Sequence, residues 1–467
     1  MNTLQEVAVS TYQDIDPATG EVIAEIEITP QAEIEATVAR GQAAWAGWSA
    51  LPLEQRLGML RKGCEALYAM RDKMAPMIVR EMGKPLPEAE GEIEMWWGSL
   101  DGTFAEYREA FAPVVLPNQR HRTTRYRDAH GVVAAVSPWN FPMRMPIGIV
   151  MPSLAAGNAV VLKPTEHSPL VGAMIVEAFA PHLPKDVIQL VQGEGKTGAQ
   201  LVASNVDMIG FVGSRATGQS IMASAAGGLK RLVLELGGKD PLVVLADADL
   251  DSAAKCAVTH SLRNTGQVCC SVERVYVAAE IADAFEAKVL ELASTWTHGS
   301  GFEPGVRMGP MVSVGQRARC HAQVLDAVGK GARLLMGGEI PEGKGAFYPA
   351  TVVADIPENS TLLTEETFGP VVCLYRFDGS EEEAVRLAND SIYGLAANVY
   401  SSDEDKAVRI AKRLRFGQIG INRYISSAPG SPWVGARQSG HGFLGGIEGH
   451  QQFSSPKSVT DSNPDSE

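Results

Sequence analysis

Cysteine is scarce in this chain, and its six residues, at positions 64, 256, 269, 270, 320 and 373, form no CxxC pair. That argues against a zinc ribbon or a disulfide scaffold and suits a reducing compartment. Positive charge is short as well. A net charge of −14 leaves no basic field to hold nucleic acid. No apolar run approaches the length that spans a bilayer, so no membrane partner is expected. The opening Met1-Asn2-Thr3-Leu4-Gln5-Glu6 lacks the basic and apolar segments of a secretory leader, so a cytoplasmic address is expected. Internal repeats are absent too. What is present is 467 residues, 45% of them hydrophobic, enough for a large core divided into two or three domains.

In chain order, Asp16-Pro17-Ala18-Thr19-Gly20 predicts a turn beside an alternating strand. Residues 30–112 then carry long Ala- and Glu-rich helical patterns suited to covering a sheet. Val114-Val115-Leu116-Pro117 and the polar, cation-rich His121-Arg122-Thr123-Thr124-Arg125-Tyr126-Arg127 read as strands, on their own a solvated hairpin. From 131 to 234, short apolar strands alternate with helices: 132–136, 159–162, 187–191, 208–212 and 231–234. That pattern predicts a parallel, doubly wound sheet whose carboxyl-end turns gather ligands. A second α/β set follows, with strands near 274–277, 371–377 and 396–400 and helices near 250–262, 281–294, 315–329 and 381–389. From Ser454 onward the chain is Ser-, Pro- and acid-rich, and its final residues are expected to be disordered.

Chemistry concentrates in Asn264-Thr265-Gly266-Gln267-Val268-Cys269-Cys270, two adjacent thiols behind a glycine, and upstream in Glu235-Leu236-Gly237-Gly238-Lys239. A thiolate attacks a carbonyl carbon and a carboxylate activates the water that releases a thioester, so this pair of residue types suits covalent acyl chemistry. Leu232-Val233-Leu234 reads as buried strand. Burial there would raise the Glu235 pKa toward that of a useful base. Both thiols also have a plainer reading, as small buried hydrophobes. Gly193-Glu194-Gly195-Lys196-Thr197-Gly198 fits GxGxxG but reads mainly as a turn, and Leu190 stands where a P-loop needs its leading glycine.

Together with Pro138-Trp139-Asn140-Phe141-Pro142, Lys163-Pro164-Thr165-Glu166, Phe211-Val212-Gly213-Ser214 and Glu366-Thr367-Phe368-Gly369-Pro370, these motifs are similar in order and spacing to the aldehyde dehydrogenase superfamily, from about residue 14 to 459. That superfamily is NAD(P)-dependent, needs no metal and works through a cysteine thiohemiacetal. The resemblance implies an α/β fold with two doubly wound domains and a β-hairpin oligomerisation element. The expected divisions are 1–111 with 131–236 for the cofactor, 237–449 for catalysis, and 112–130 with 450–467 for oligomerisation and tail. It implies a homodimer or homotetramer.

By the same resemblance Cys269 is the nucleophile, Glu235 the base and Asn140 an oxyanion donor, with a turn cap as Asn140's plain alternative. Cys270 would be a neighbour able to form a disulfide or sulfenamide only with strain. Trp139 belongs to the cofactor site. Lys163 and Glu166 would meet the adenosine ribose, with Glu166 repelling a 2′-phosphate, so NAD is expected ahead of NADP. Gly213 and Ser214 would meet the pyrophosphate at a helix start. Glu366 would bind the nicotinamide ribose, and Phe368 would pack beside the ring or serve the core. The second glutamate of some relatives aligns with Ile447, beside Glu448.

Substrate residues depart from the apolar-aldehyde pattern. The entrance positions fall on Gly148, Arg263 and Ser427, with Ser426 adjacent. Arg263 resembles an arginine that succinate-semialdehyde dehydrogenases use to hold a carboxylate, and Arg144 replaces their second arginine if it points inward. A structural role for Arg263 stands beside that reading. The expected product is a free acid, because coenzyme A-acylating relatives usually lack the carboxylate at Glu235. An acylating enzyme, a general apolar aldehyde dehydrogenase and a non-catalytic family member are the alternatives.

Overall fold

The computed structural model describes residues 10–116, 121–426 and 428–462, so Ser427 and the last residues of the tail lie outside the description. Five helices, Gln31–Ser49, Leu53–Ala69, Arg71–Met82, Leu86–Gly98 and Leu100–Phe111, occupy the N-terminal helical region. Prolines at 30, 52 and 85 mark the starts of the first, second and fourth. A proline costs a helix nothing there, because those first amides have no partner within the helix.

Two sheets organise the rest. The first runs Gly440–His441, Arg231–Glu235, Met208–Val212, Val132–Val136, Ala159–Lys163, Ile188–Leu190, all parallel except the first pairing. Its side chains alternate between two cores. Val133, Ala135, Val160 and Leu162 join one cluster with Trp48 and Phe179, while Val132, Ala134, Ala159 and Val161 join another with Ile34 and Val38. Burial on both faces explains why these strands read as unbroken apolar runs. The second sheet runs Arg333–Met336, Thr351–Ala354, Val371–Phe377, Val272–Ala278, Asp240–Val244, Ala396–Tyr400, Gln418–Ile421, with only the first pairing antiparallel. Four of these seven, at 240–244, 333–336, 351–354 and 418–421, went unread in the sequence.

The 454–461 stretch holds a strand that the sequence pattern did not suggest. Its Ser- and acid-rich composition suggested a tail, yet Ser454–Asp461 is a strand, paired antiparallel with Arg122–Ala129 along its whole length. Cross-strand polar pairs compensate for the weak composition: Thr123 and Thr460 share a hydrogen bond of 2.9 Å, and Lys457 meets Asp128 at 2.6 Å. With Val114–Leu116 it forms a three-stranded sheet in place of a simple hairpin.

Between helices and sheets lies a buried ion pair, Lys84 Nζ to Glu92 Oε2 at 2.6 Å, both side chains fully shielded. The other Glu92 oxygen accepts the amides of Met143 and Arg144, fixing the start of the helix Arg144–Ala156. Lys84→Met leaves that carboxylate buried and uncompensated, and should lower stability by about 3–5 kcal/mol, read as a fall in the urea midpoint.

Candidate active site

In the first sheet the chain reverses its order between Val132–Val136 and Met208–Val212, and a crevice opens outside the carboxyl ends at such a point. The turns there hold Trp139 and Asn140 after one strand, Gly213 and Ser214 after the other, with Lys163 and Glu235 ending their neighbours. Facing them are loops at the amino ends of the second sheet: Gly237-Gly238-Lys239, residues 263–271, and residues 366–370. The chain crosses from one sheet to the other directly, from Glu235 to Asp240. A Cβ on Gly238 would lie 2.7 Å from the Cys269 carbonyl oxygen and 2.7 Å from Asp240 Oδ1, so the crossing admits no side chain.

The thiol loop is held by its own backbone. Asn264, Thr265 and Gly266 take φ of 51°, 56° and 70° in succession, a left-handed run that L-residues adopt only under constraint. A Cβ on Gly266 would lie 2.1 Å from the Gly369 carbonyl oxygen. Asn264 Nδ2 donates to the carbonyls of Asn140 and Gln267, each at 3.1 Å, and Thr265 Oγ1 donates to the Gly309 carbonyl. Asn140 Nδ2 donates to the Gln267 carbonyl at 3.1 Å, tying this amide to the cysteine loop instead of capping its own turn. The second N–H of that amide stays available as a donor.

Cys269 is half-buried and Cys270 buried. The adjacent Cys270 thiol, with burial, pushes Cys269 well above its ordinary value. The neighbouring Cys269 thiol draws Cys270 down to about 7 against burial, helped by Tyr424 and Arg263. Glu235 is 4% exposed, and neither of its carboxylate oxygens has a hydrogen-bond partner among the described residues. Burial pushes its carboxyl well above the usual range.

The cofactor candidates gather round the same crevice. Trp139 meets Phe368 edge-on, centroids 5.3 Å apart, and His167 at 6.4 Å. Lys163, 3% exposed, faces Glu166 Oε2 at 3.5 Å. Burial would raise the Glu166 carboxyl, but Lys163, its own backbone amide and His167 together outweigh it and hold the group below its ordinary range. A shielded ammonium beside an ionised carboxylate fits the vicinal hydroxyls of a ribose. The Gly213 amide is taken by the Glu235 carbonyl at 3.0 Å, and Ser214 Oγ caps the helix Arg215–Ala226 through the Thr217 amide. The first-turn amides of that helix are the donors this turn offers an anion. Gly193 takes φ of 146° and leads into the helix Gly195–Ala203. Glu366 accepts the Gly238 amide at 3.1 Å, and burial pushes its carboxyl up to about 8. Phe368, at φ 50°, is pinned through its amide by Glu273 Oε1. Glu273 also accepts the Thr367 amide and pairs with Lys239 Nζ at 2.7 Å. Sequence reasoning missed Glu273, whose one signal was an acid set inside the apolar strand Val272–Ala278.

Among the substrate candidates, Arg144 and Arg263 line one cavity of about 450 Å³, together with Glu88, Phe141 and Asn264. Ser427 lies outside the described residues; Ser426 is exposed and Gly148 half-buried. Ile447 packs against the large core and Glu448 is exposed. No group of His, Cys, Asp and Glu able to hold a metal occurs among the described residues, and no helix there is long and apolar enough to cross a membrane.

Comparison with known proteins adds the family. A model described as the aldehyde dehydrogenase family matches residues 5–459. A probable succinate-semialdehyde dehydrogenase [NADP(+)] of Sinorhizobium fredii is 37% identical over 447 residues, covering 95% of this chain and 91% of its own. A betaine aldehyde dehydrogenase of Cereibacter sphaeroides is 36% identical, covering 95% and 92%. The crystal structure of succinate-semialdehyde dehydrogenase from Burkholderia pseudomallei superposes with a TM-score of 0.93 at 35% identity, covering 97% and 95%.

Gly266→Ala tests the thiol loop. The substitution is strained by its positive φ and by the Gly369 carbonyl, so the loop must move. A shift of about an ångström costs on the order of 100-fold in rate, so aldehyde turnover should fall by that much while cofactor binding, followed by protein fluorescence, persists.

Proposed function

The chain belongs to the aldehyde dehydrogenase family, and from that membership we propose that it oxidises a carboxylate-bearing semialdehyde to the diacid, with Cys269 as nucleophile, Glu235 as base and Asn140 as oxyanion donor. The observation that carries the substrate reading is the cavity shared by Arg144 and Arg263 beside Phe141 and Asn264. A guanidinium binds a carboxylate in bidentate fashion, and a pocket built for that anion rejects an apolar tail that leaves it unpaired. The Sinorhizobium and Burkholderia relatives, named as succinate-semialdehyde dehydrogenases, support it.

In this mechanism Cys269 Sγ attacks the aldehyde carbon as a thiolate. The developing oxyanion meets the free N–H of Asn140 and the backbone N–H of Cys269; such a donor is worth about 3 kcal/mol to the transition state. A bound nicotinamide supplies the acceptor for the hydride that leaves the thiohemiacetal carbon. Glu235 then takes a proton from the water that attacks the thioester, and Cys269 departs as the thiolate. Glu366 and Phe368 hold the nicotinamide side, Lys163 and Glu166 the adenosine side. Family membership gives NAD(P) dependence. Between the two cofactors, the ionised Glu166 disfavours a 2′-phosphate, so we propose that NAD is favoured even though the Sinorhizobium relative's name carries NADP(+). Glu166→Ser should shift the kcat/KM ratio toward NADP.

The three-stranded sheet supports a homo-oligomer. Val115, Thr124 and Val459 share one cross-strand row with Tyr126 adjacent, and Val115, Tyr126 and Val459 are exposed. Such a stripe suits a second copy of the chain, as a dimer or tetramer.

Succinate semialdehyde, butanal and betaine aldehyde separate the substrate readings, since they carry an anion, no charge and a cation. The expected order of kcat/KM puts succinate semialdehyde first, and Arg263→Met should cut its lead by about 10-fold or more. A lead for either other aldehyde returns Arg263 to a structural role. The pH profile tests the base. Glu235 must be ionised to act and burial raises its pKa, so hydrolysis should climb with pH through a midpoint above that of an ordinary glutamate. Glu235→Gln should abolish that limb and slow deacylation at least about 100-fold, measured by single-turnover release of acid.

A further inference from the structure

Tyr424 belongs to none of the motifs, yet it touches both halves of the proposed chemistry. It follows the strand Gln418–Ile421, after a left-handed Asn422 at φ 52° that turns the chain back. Its ring stacks on His260, centroids 3.4 Å apart and planes within 4°, at the last turn of the helix Leu250–Leu262. The Arg263 guanidinium carbon lies 5.3 Å from the ring centroid, within reach of a cation–π attraction. Its hydroxyl lies 2.7 Å from the Cys270 carbonyl oxygen and 3.1 Å from Cys270 Sγ.

We propose that Tyr424 is a positioning residue that ties the guanidinium receiving the substrate carboxylate to the loop carrying the nucleophile. The Arg263 half of this rests on the semialdehyde reading above; the Cys270 half does not. The ring holds Arg263 through a cation–π contact, and the hydroxyl fixes the Cys270 carbonyl, one residue beyond the nucleophile. A phenol has one proton and here two acceptors on the same residue. With Cys270 as a thiol the proton goes to the carbonyl oxygen; with Cys270 as a thiolate it goes to sulfur, and the anion is stabilised.

The groups bearing on this contact are Cys269, Arg263, His260 and Asp240. Burial, with Arg263 beside it, pushes His260 down to about 3, so it is neutral at working pH. Asp240 is fully buried, its carboxylate oxygens have no partner among the described residues, and burial pushes its carboxyl well up, toward the neutral form. That leaves the positive charge of Arg263 acting on the thiols in concert with the phenol. Phenylalanine in place of Tyr424 keeps the stack and loses the hydroxyl; leucine loses both.

The experiment uses Tyr424→Phe and Tyr424→Leu in the full chain, with two readouts. Iodoacetamide alkylation of Cys269 and Cys270 is followed against pH by peptide mass spectrometry, and kcat and KM are measured with succinate semialdehyde and butanal. In Tyr424→Phe the Cys270 alkylation midpoint should move to higher pH, and kcat should fall about 3- to 10-fold with both aldehydes, the loss of one hydrogen bond. Its KM for succinate semialdehyde should hold. In Tyr424→Leu the advantage of succinate semialdehyde over butanal should shrink as well. Wild-type kcat and alkylation in Tyr424→Phe, or equal losses in both variants, would overturn the proposal. If the unsubstituted enzyme shows no preference for the carboxylated aldehyde, the link to Arg263 fails with the semialdehyde reading, while the alkylation shift still decides the Cys270 contact.

Discussion

The site depends on a backbone crossing that has no room for a side chain. Between Glu235 and Asp240 the chain leaves one sheet and enters the other in four residues, with Gly238 against the Cys269 carbonyl. That closeness brings the carboxyl-end loops of the first sheet against the amino-end loops of the second. Only glycine allows two backbones to approach so nearly, and Gly266 against Gly369 repeats the device on the far side of the thiols. The Asn140 turn and the thiol loop are tied to each other through main-chain carbonyls, while Glu235 ends the strand from which the crossing starts.

Such an arrangement leaves loops that must be held without secondary structure of their own, and buried charge does the holding. Glu273 takes the amides of Thr367 and Phe368 while Lys239 neutralises it. Glu92 takes the amides of Met143 and Arg144 while Lys84 neutralises it. In each case a carboxylate accepts two consecutive amides, a strong charge-assisted geometry, and a lysine carries the counter-charge in a dry interior. Glu235 is the contrast. It is equally buried, has no such partners, and so keeps its proton longer.

What the amino acids revealed in advance follows from this division. The parallel strands of the first sheet and three of the second were legible as apolar runs alternating with helices, because burial on two faces leaves an unbroken apolar signature in Val132–Val136 or Val371–Phe377. The short motifs around Cys269, Glu235 and Asn140 mark the loops that meet between the two sheets, and the roles of these three residues are those proposed above. The strand Asp240–Val244 was hidden because it follows its predecessor with no intervening helix. Ser454–Asp461 was hidden because its pairing partner lies more than three hundred residues earlier and its own composition is that of a loop. Tyr424 was invisible for a similar reason: an isolated tyrosine gives no local sign that it meets a cysteine and a histidine from another part of the chain.

The late arrival of those last strands bears on how the protein is made. Gly440–His441 closes the open edge of the strand that ends in Glu235, and Ser454–Asp461 closes the edge of Arg122–Ala129. A chain emerging from the ribosome therefore exposes both edges until residues 440–461 have followed. Unpaired edges of that kind invite pairing with neighbouring chains. Until those strands are in place, aggregation competes with folding.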